Sequence, residues 1–487
     1  MSAQSVIIAI PLGTLLSVLL LRTNVWGRQA AWIAIGSQLA VPLYVFAGGW
    51  SAGFGLQGWL TASSFPFAGL AVTAGTGSLV AVSLIHALAA VPWVCLITSL
   101  GLMWIHRGQD EMARTEGGLL HLVRYLWIPK LRIWIALSCV WCLLPVLTEM
   151  VVTNLYQVPT VAEQVYLDAS RGSLSPWTYA AAVLFCMLPI ACLGGLVWRW
   201  SPPWRDVIVG LAHYRATTLE LRQNRLLVSC CAWLVVVALV GLPIVNLIIK
   251  AGWQPYVDAD GTTQYGWALA RWLTTVRESI VLFSSEFYWT SILAVSSTAT
   301  SLGISILLRA LLPSKLATTL VAAGMILLIA VPGPLVGMLA IFLLNRDTPA
   351  WLGRLYDGTL AAPILAQQFR MLPLAWLLVL SIQASISRRA EEQAALDGLS
   401  WLQTLRFVVY PQTWSRWLVA VLLLLVISVG ELSCTILVLP PGVTTISMRL
   451  FEMLHFGMRH QDSGLCGVLL LLGWLTSFSA WKTLRER

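Results

Sequence analysis

The sequence predicts an all-α polytopic membrane protein, with about eleven transmembrane helices arranged as two parallel repeats. Three observations predict it. Of 487 residues, 58% are hydrophobic and only 10% charged, against about a quarter charged in a soluble protein. So little charge cannot clothe a water-exposed surface, which excludes a soluble globular enzyme. The apolar residues gather in runs long enough to cross a bilayer, for which about 20 residues suffice. Finally, the spacing of prolines, glutamates and glycines in the first half recurs in the second.

The apolar runs place spans near 6–22, 30–48, 77–105, 131–154, 178–199, 228–250, 287–308, 317–345, 362–385, 416–437 and 465–481, and 66–105 has room for a further short one. The opening MSAQS lacks the basic start of a secretory signal, so the run to Leu21 reads as a first span with the N-terminus outside. On that topology 21 of the 30 basic residues fall in inside segments, near 22–29, 106–132, 199–227, 309–316, 386–416 and 482–487. The bias places the C-terminus in the cytoplasm. It also accounts for the net charge of +9 without a nucleic-acid partner.

The repeat is carried by matched intervals. The spacings from Pro92 to Glu111 and from Glu111 to Gly117 recur unchanged from Pro373 to Glu392 and from Glu392 to Gly398. Ala113 answers Ala394, and Glu116 answers Asp397. Pro129, Glu149 and Thr153 are spaced as Pro411, Glu431 and Thr435 are. Only the step from Gly117 to Pro129 differs, being one residue shorter than that from Gly398 to Pro411. Val41-Pro42 resembles Val331-Pro332 upstream. The chain therefore divides into a first repeat (1–200, five spans, with a loop near 106–130), a cytoplasmic amphipathic linker (201–227), a reorienting span with an external interfacial segment (228–286), and a second repeat (287–487, five spans, loop 388–411). The single extra span lets both repeats start on the same side of the membrane. Residues 203–225 read as a helix on the cytoplasmic face. Leu269, Trp272, Leu273, Val276 and Ile280 read as an external interfacial helix. Asp258-Ala-Asp260-Gly261 lacks the remaining ligands of a calcium loop and reads as a turn.

In the second loop, residues 388–396 favour helix, and Gly398 suits the left-handed turn that ends one. Ser400-x-x-Gln403 is a capping-box pattern opening another helix, which Pro411 is expected to stop before the next span. Glu392, Ala394, Ala395, Asp397, Gly398 and Pro411 thus form a helix-turn-helix with a small-residue ridge, a docking element without catalytic chemistry. This stretch resembles the EAA loop of ABC-importer permeases of type I, with Gln393 in place of the first alanine. Glu111, Ala113 and Gly117 form a degenerate first copy. The resemblance implies that both loops are coupling helices seated in two copies of a separate ABC ATPase subunit, and that a soluble substrate-binding protein delivers the solute. Two permease units in one chain are similar to the iron(III) branch, whose relatives carry thiamine or phosphonates. The segment from Glu431 to Gly442 resembles that branch as well.

Charged groups inside spans are functional candidates. Glu149 and Glu431, with Thr153 and Thr435, are expected one to two turns inside the outer ends of their helices. They either line a pseudo-two-fold pathway, favouring a cation or chelate, or fix the outer gate by bonding neighbouring backbone. Arg370 either lines that path or snorkels to the outer interface. His86 reads as a packing or hydrogen-bonding residue, and Pro332-Gly333-Pro334 as a helix break whose freed carbonyls could border a cavity. Cys139 and Cys142 lie in an apolar run without a second ligand pair, so no metal site is expected. None of the four lysines follows a glycine, so there is no phosphate-binding loop. The chain is expected to bind no cofactor and to leave ATP to its partner. The sequence therefore reads as a non-enzymatic inner-membrane permease subunit of a bacterial importer, surrounded by membrane lipid and working by alternating access. The alternative is an ion-coupled secondary transporter, which needs carboxylates at mid-bilayer and has no use for a glycine-hinged loop.

Overall fold

The computed structural model describes residues 1–55, 57–62, 76–105, 107–171, 176–200, 219–258, 260–312, 314–346, 348–386, 388–456 and 459–485. The first half begins with α1 (Ser2–Arg22), followed by α2 (Arg28–Gln38), α3 (Leu43–Phe54), the short α4 (Trp59–Ala62) and α5 (Thr76–Met103). It continues through α6 (Arg107–His121), α7 (Ile128–Thr148), α8 (Val151–Leu155), α9 (Val161–Ser170) and α10 (Pro176–Trp200). Next come α11 (Arg225–Val236) and α12 (Leu242–Gly252), a hairpin of β1 (Trp253–Val257) and β2 (Thr263–Trp267), and α13 (Leu269–Leu282). The second half comprises α14 (Ser284–Leu311), α15 (Lys315–Ile329), α16 (Gly333–Leu344), α17 (Ala350–Gly358), α18 (Ala361–Ala384) and α19 (Arg388–Leu396). It ends with α20 (Trp401–Thr404), α21 (Tyr410–Gly430), α22 (Ile446–His455) and α23 (His460–Arg485).

Among the described residues eight helices are long and apolar enough to cross a membrane, or up to ten if each of two bent pairs is one span. The sequence suggests about eleven; its span at 178–199 falls on α10, which is not among the eight. Residues 76–103 form a single helix. The extra short span considered upstream of it, and most of the amphipathic stretch 203–225, lie outside the described residues.

The bent pairs turn at the matched prolines, α2 to α3 by 107° and α15 to α16 by 105°. Proline lacks the N–H of the helical ladder and clashes with the preceding turn, so both helices break there. Each bend packs on the other half: Pro42 lies beside Gly430, and Ala330 packs against Val140 and Leu144 of α7.

Pro411 does not stop its helix, contrary to the expectation from sequence. One apolar helix runs from Trp401 to Gly430, because the ladder widens into a π-helical segment, Leu405–Val409, just before the proline. Leu122–Trp127 does the same before Pro129. A π segment lengthens one hydrogen-bond loop and absorbs the residue that cannot donate. Laying Pro129 on Pro411 brings Ile128–Thr148 onto Tyr410–Gly430 end for end.

The extra span packs on α3, with Gly49 against Pro243 and Gly53 against Asn246. The hairpin pairs Trp253 with Trp267 through to Val257 with Thr263; from sequence only a turn is expected there. α13 turns Thr275 and Ser279 inward and leaves Leu269, Leu273 and Ile280 exposed. Trp272 and Val276 are half-buried and face α12 and α23, so the apolar positions read from sequence divide between the packed and the open side of the helix.

Candidate functional sites

The second loop is built by its glycine. Gly398 takes φ +75°. Its N–H bonds to the Ala395 carbonyl and that of Leu399 to the Ala394 carbonyl, the paired bonds of a Schellman motif. The capping box then forms in full: the Ser400 side chain accepts from the Gln403 N–H, and the Gln403 side chain accepts from the Ser400 N–H at 2.8 Å. Ala394 is buried, holding α19 to the protein, whereas Glu392, Ala395, Asp397 and Gly398 are exposed. Leu396 is 86% exposed, and Leu402 and Phe407 further along are exposed too.

The first loop follows the same plan with a shifted turn. The helix kinks at Gly117, with φ −157° and ψ 19°, and the positive-φ residue is Gly118, with φ +71° and ψ −160°. Glu111 is exposed and Ala113 half-buried; Met112, Leu119 and Leu120 are exposed. With Pro129 laid on Pro411, Leu119-Leu120 falls on Trp401-Leu402, and Arg124-Tyr125 on Arg406-Phe407. Both arginines sit over the neighbouring ring, at 5.6 and 5.5 Å. These exposed pairs escape a sequence reading that follows prolines, acids and glycines; the same interval would have found them.

Glu149 and Glu431 lie outside their helices, a correction to the spans drawn from sequence. Each is the extended residue after the last helical one. Oε1 of Glu149 accepts the Val152 N–H at 2.9 Å, and Oε1 of Glu431 accepts the Cys434 N–H at 2.9 Å. Thr153 and Thr435 are buried and donate locally, to the carbonyls of Met150 and Leu432. The repeated Glu-x-x-x-Thr is thus a motif that caps a turn at the helix end. Oε2 of Glu149 lies 3.6 Å from Nε2 of the buried His86. At the matched place in the second half stands Gln367, whose amide exchanges hydrogen bonds with Ser428. His86 hydrogen-bonds its own helix, its Nδ1 meeting the Val82 carbonyl at 2.9 Å, while Gln367 ties the proline-bearing helix of the second half to the end of the glutamate-bearing one. Ile85, Val151, Val152 and Leu432 share one apolar cluster with Tyr44, so the structure brings both turns into one region.

Arg370 is half-buried within α18. Its guanidinium donates to the Ile329 carbonyl and, at 3.0 Å, to the Val331 carbonyl. The carbonyls freed by the proline break are thereby satisfied. Ala89 holds the corresponding place in the first half. At the same end as the glutamate turns, His455 Nε2 meets Asn154 Oδ1 at 2.8 Å, and Asn154 donates to Glu163 at 2.7 Å. Tyr156 bonds Ser51 at 2.7 Å; burial pushes its phenol up, and the Ser51 bond opposes the shift. Among the described residues no three His, Cys, Asp or Glu side chains gather as a metal group.

Residues 266–484 match a transport family. Its description is binding-protein-dependent transport system inner membrane component. The match runs from the hairpin almost to the end of α23 and includes the Gly398 loop, Arg370 and Glu431. It supports an inner-membrane permease component of an ABC transporter, a transport family rather than an enzymatic one. Comparison with curated proteins finds no match. The first half lies outside the matched residues and is tied to the second by the common interval and by the helices that correspond end for end.

Proposed function

We propose that this chain is a double permease of an ATP-binding-cassette importer in a bacterial inner membrane. Both halves form one pathway, two copies of a nucleotide-hydrolysing subunit dock beneath on the cytoplasmic loops, and a soluble binding protein delivers a small solute from outside. The observation that carries this reading is the pair of helix-glycine-helix loops exposing Leu396 and Leu402 in one copy and Met112, Leu119 and Leu120 in the other. Exposed apolar side chains gathered around a glycine-hinged turn mark a protein-docking surface. ATP binding draws the two hydrolysing subunits together and the loops with them. The helices between loop and glutamate turn then tilt, so the cavity alternates between inward- and outward-facing.

The solute is an iron(III) ion or a related cation or chelate, with thiamine or a phosphonate as the neighbouring classes. Two acidic residues at matched places favour a positive charge. The chain itself hydrolyses nothing. Purifying the tagged protein from native membranes tests the assignment. An ATPase should co-purify at two copies per chain, and reconstituted vesicles should take up solute on ATP addition. Uptake that follows a proton or sodium gradient, with no ATPase bound, overturns it in favour of a secondary transporter.

A further inference from the structure

Arg22, the last residue of α1, is 1% exposed. Such a buried guanidinium persists when several acceptors surround it. Nη1 donates to Oδ2 of Asp110, and Nη2 donates to the Leu102 carbonyl and, at 3.3 Å, to the Ile105 carbonyl. Asp110 stands one residue before Glu111 in the first loop and is itself buried. Its other oxygen accepts the indole N–H of Trp127 at 3.0 Å, and the guanidinium lies 6.0 Å from that ring. The end of α1, the end of α5, the first loop and the π segment leading into α7 therefore meet at one ion pair.

The junction also reaches beyond the repeat. The carbonyl of Arg22 accepts the Leu219 N–H at 2.7 Å. Asn24 Oδ1 accepts the Leu221 N–H at 3.1 Å, and Arg225 donates to the Asn24 carbonyl at 2.7 Å. Residues 219–225 lead directly into α11, the start of the extra span. In the second half Val409 takes the place of Trp127 and offers no indole donor.

We propose that Arg22 and Asp110 are positioning residues: a buried clamp through which the first loop drives the extra span α11–α12. Neither contacts solute or ATPase. Movement imposed on the first loop is carried by the ion pair to the end of α1, and from there by the hydrogen bonds that Arg22 and Asn24 make with residues 219–225. This rests on the reading that the loops contact an ATP-hydrolysing subunit. The degenerate first loop then has a distinct task, since it moves a span that the second loop does not reach by this route.

Hydrogen–deuterium exchange on the full chain with its co-purified ATPase, before and after ATP plus vanadate, tests the proposal. Three windows are compared: 107–121, 388–411 and 219–236. In the wild type all three should change protection. In Asp110→Asn the response at 388–411 should persist while that at 219–236 falls at least fivefold, and Trp127→Phe should reduce it by a smaller factor. A wild-type response at both loops without one at 219–236 overturns the clamp. So does an undiminished response at 219–236 in Asp110→Asn. If Asp110→Asn does not insert, Trp127→Phe decides by the same window, and an unchanged response there overturns the clamp. No response at either loop in the wild type instead overturns the importer reading, and the clamp with it.

Discussion

Glu149 and Glu431 hold the same place in the two halves: each ends its helix in extended backbone and accepts the N–H three residues on, from Val152 and Cys434. A carboxylate used in this way is a cap, and an amide oxygen can replace it. Changing both to Gln should leave thermal stability close to wild type, whereas changing both to Ala should lower it by about 1 kcal/mol per site, the usual worth of a side-chain cap. Melting in detergent separates the two cases. Uptake by the Gln pair should fall about tenfold for a cationic solute, a change of about 1.4 kcal/mol. Wild-type uptake in that variant assigns the glutamates to capping the turn alone.

At Gly398 the backbone itself sets the requirement. A side chain at φ +75° meets the following carbonyl, at a cost of roughly 1–2 kcal/mol. Gly398→Val should therefore insert normally yet lose ATP-driven uptake while hydrolysis continues. In the first loop the corresponding sensitivity belongs to Gly118, at φ +71°. Uptake per ATP hydrolysed checks both, and an unchanged ratio in Gly398→Val removes the docking role.

Composition and interval make the membrane fold, the two-fold repeat and the second loop legible, because apolar length, proline and glycine act through local backbone physics. Sequence misplaces features that depend on what lies across the bundle. Hydropathy draws Glu149 and Glu431 inside apolar runs, yet the chain turns at them, since the carboxylate supplies an acceptor that hydropathy does not register. Pro411 is expected to end a helix, but the π segment before it accommodates the ring. Counting from Glu111 matches Gly117, although the turn falls on Gly118. Arg22 reads as one more cytoplasmic charge, and only the fold shows Asp110 and Trp127 closing around it.

Arg370 closes the proline break of the second half, so its removal should be felt there. Arg370→Ala leaves the Ile329 and Val331 carbonyls without this donor. A buried polar group stripped of its partner costs about 1–3 kcal/mol. Arg370→Lys should recover part of that loss, since an ammonium donates to one carbonyl but lacks the planar fork. Thermal unfolding in detergent should rank wild type above Lys above Ala. Equal stability of all three overturns the capping role. Ala89, the counterpart in the first half, supplies no such cap and should tolerate Ser.

The contact between halves at the end of the glutamate turns can be tested in the same way. Asn154 comes from the first half and His455 from the second. Asn154 Nδ2 donates to Glu163, so its Oδ1 is the acceptor that faces His455 Nε2 at 2.8 Å. One such bond contributes about 1 kcal/mol, and a double-mutant cycle isolates it because the two residues touch. Asn154→Ala, His455→Ala and the double variant should show a coupling of that size in thermal unfolding. If this contact latches the proposed outer gate, either single variant should also raise ATP hydrolysis in the absence of solute, since the closed state it favours is then easier to leave. Additive effects on stability, with basal hydrolysis unchanged, reduce the bond to a surface contact.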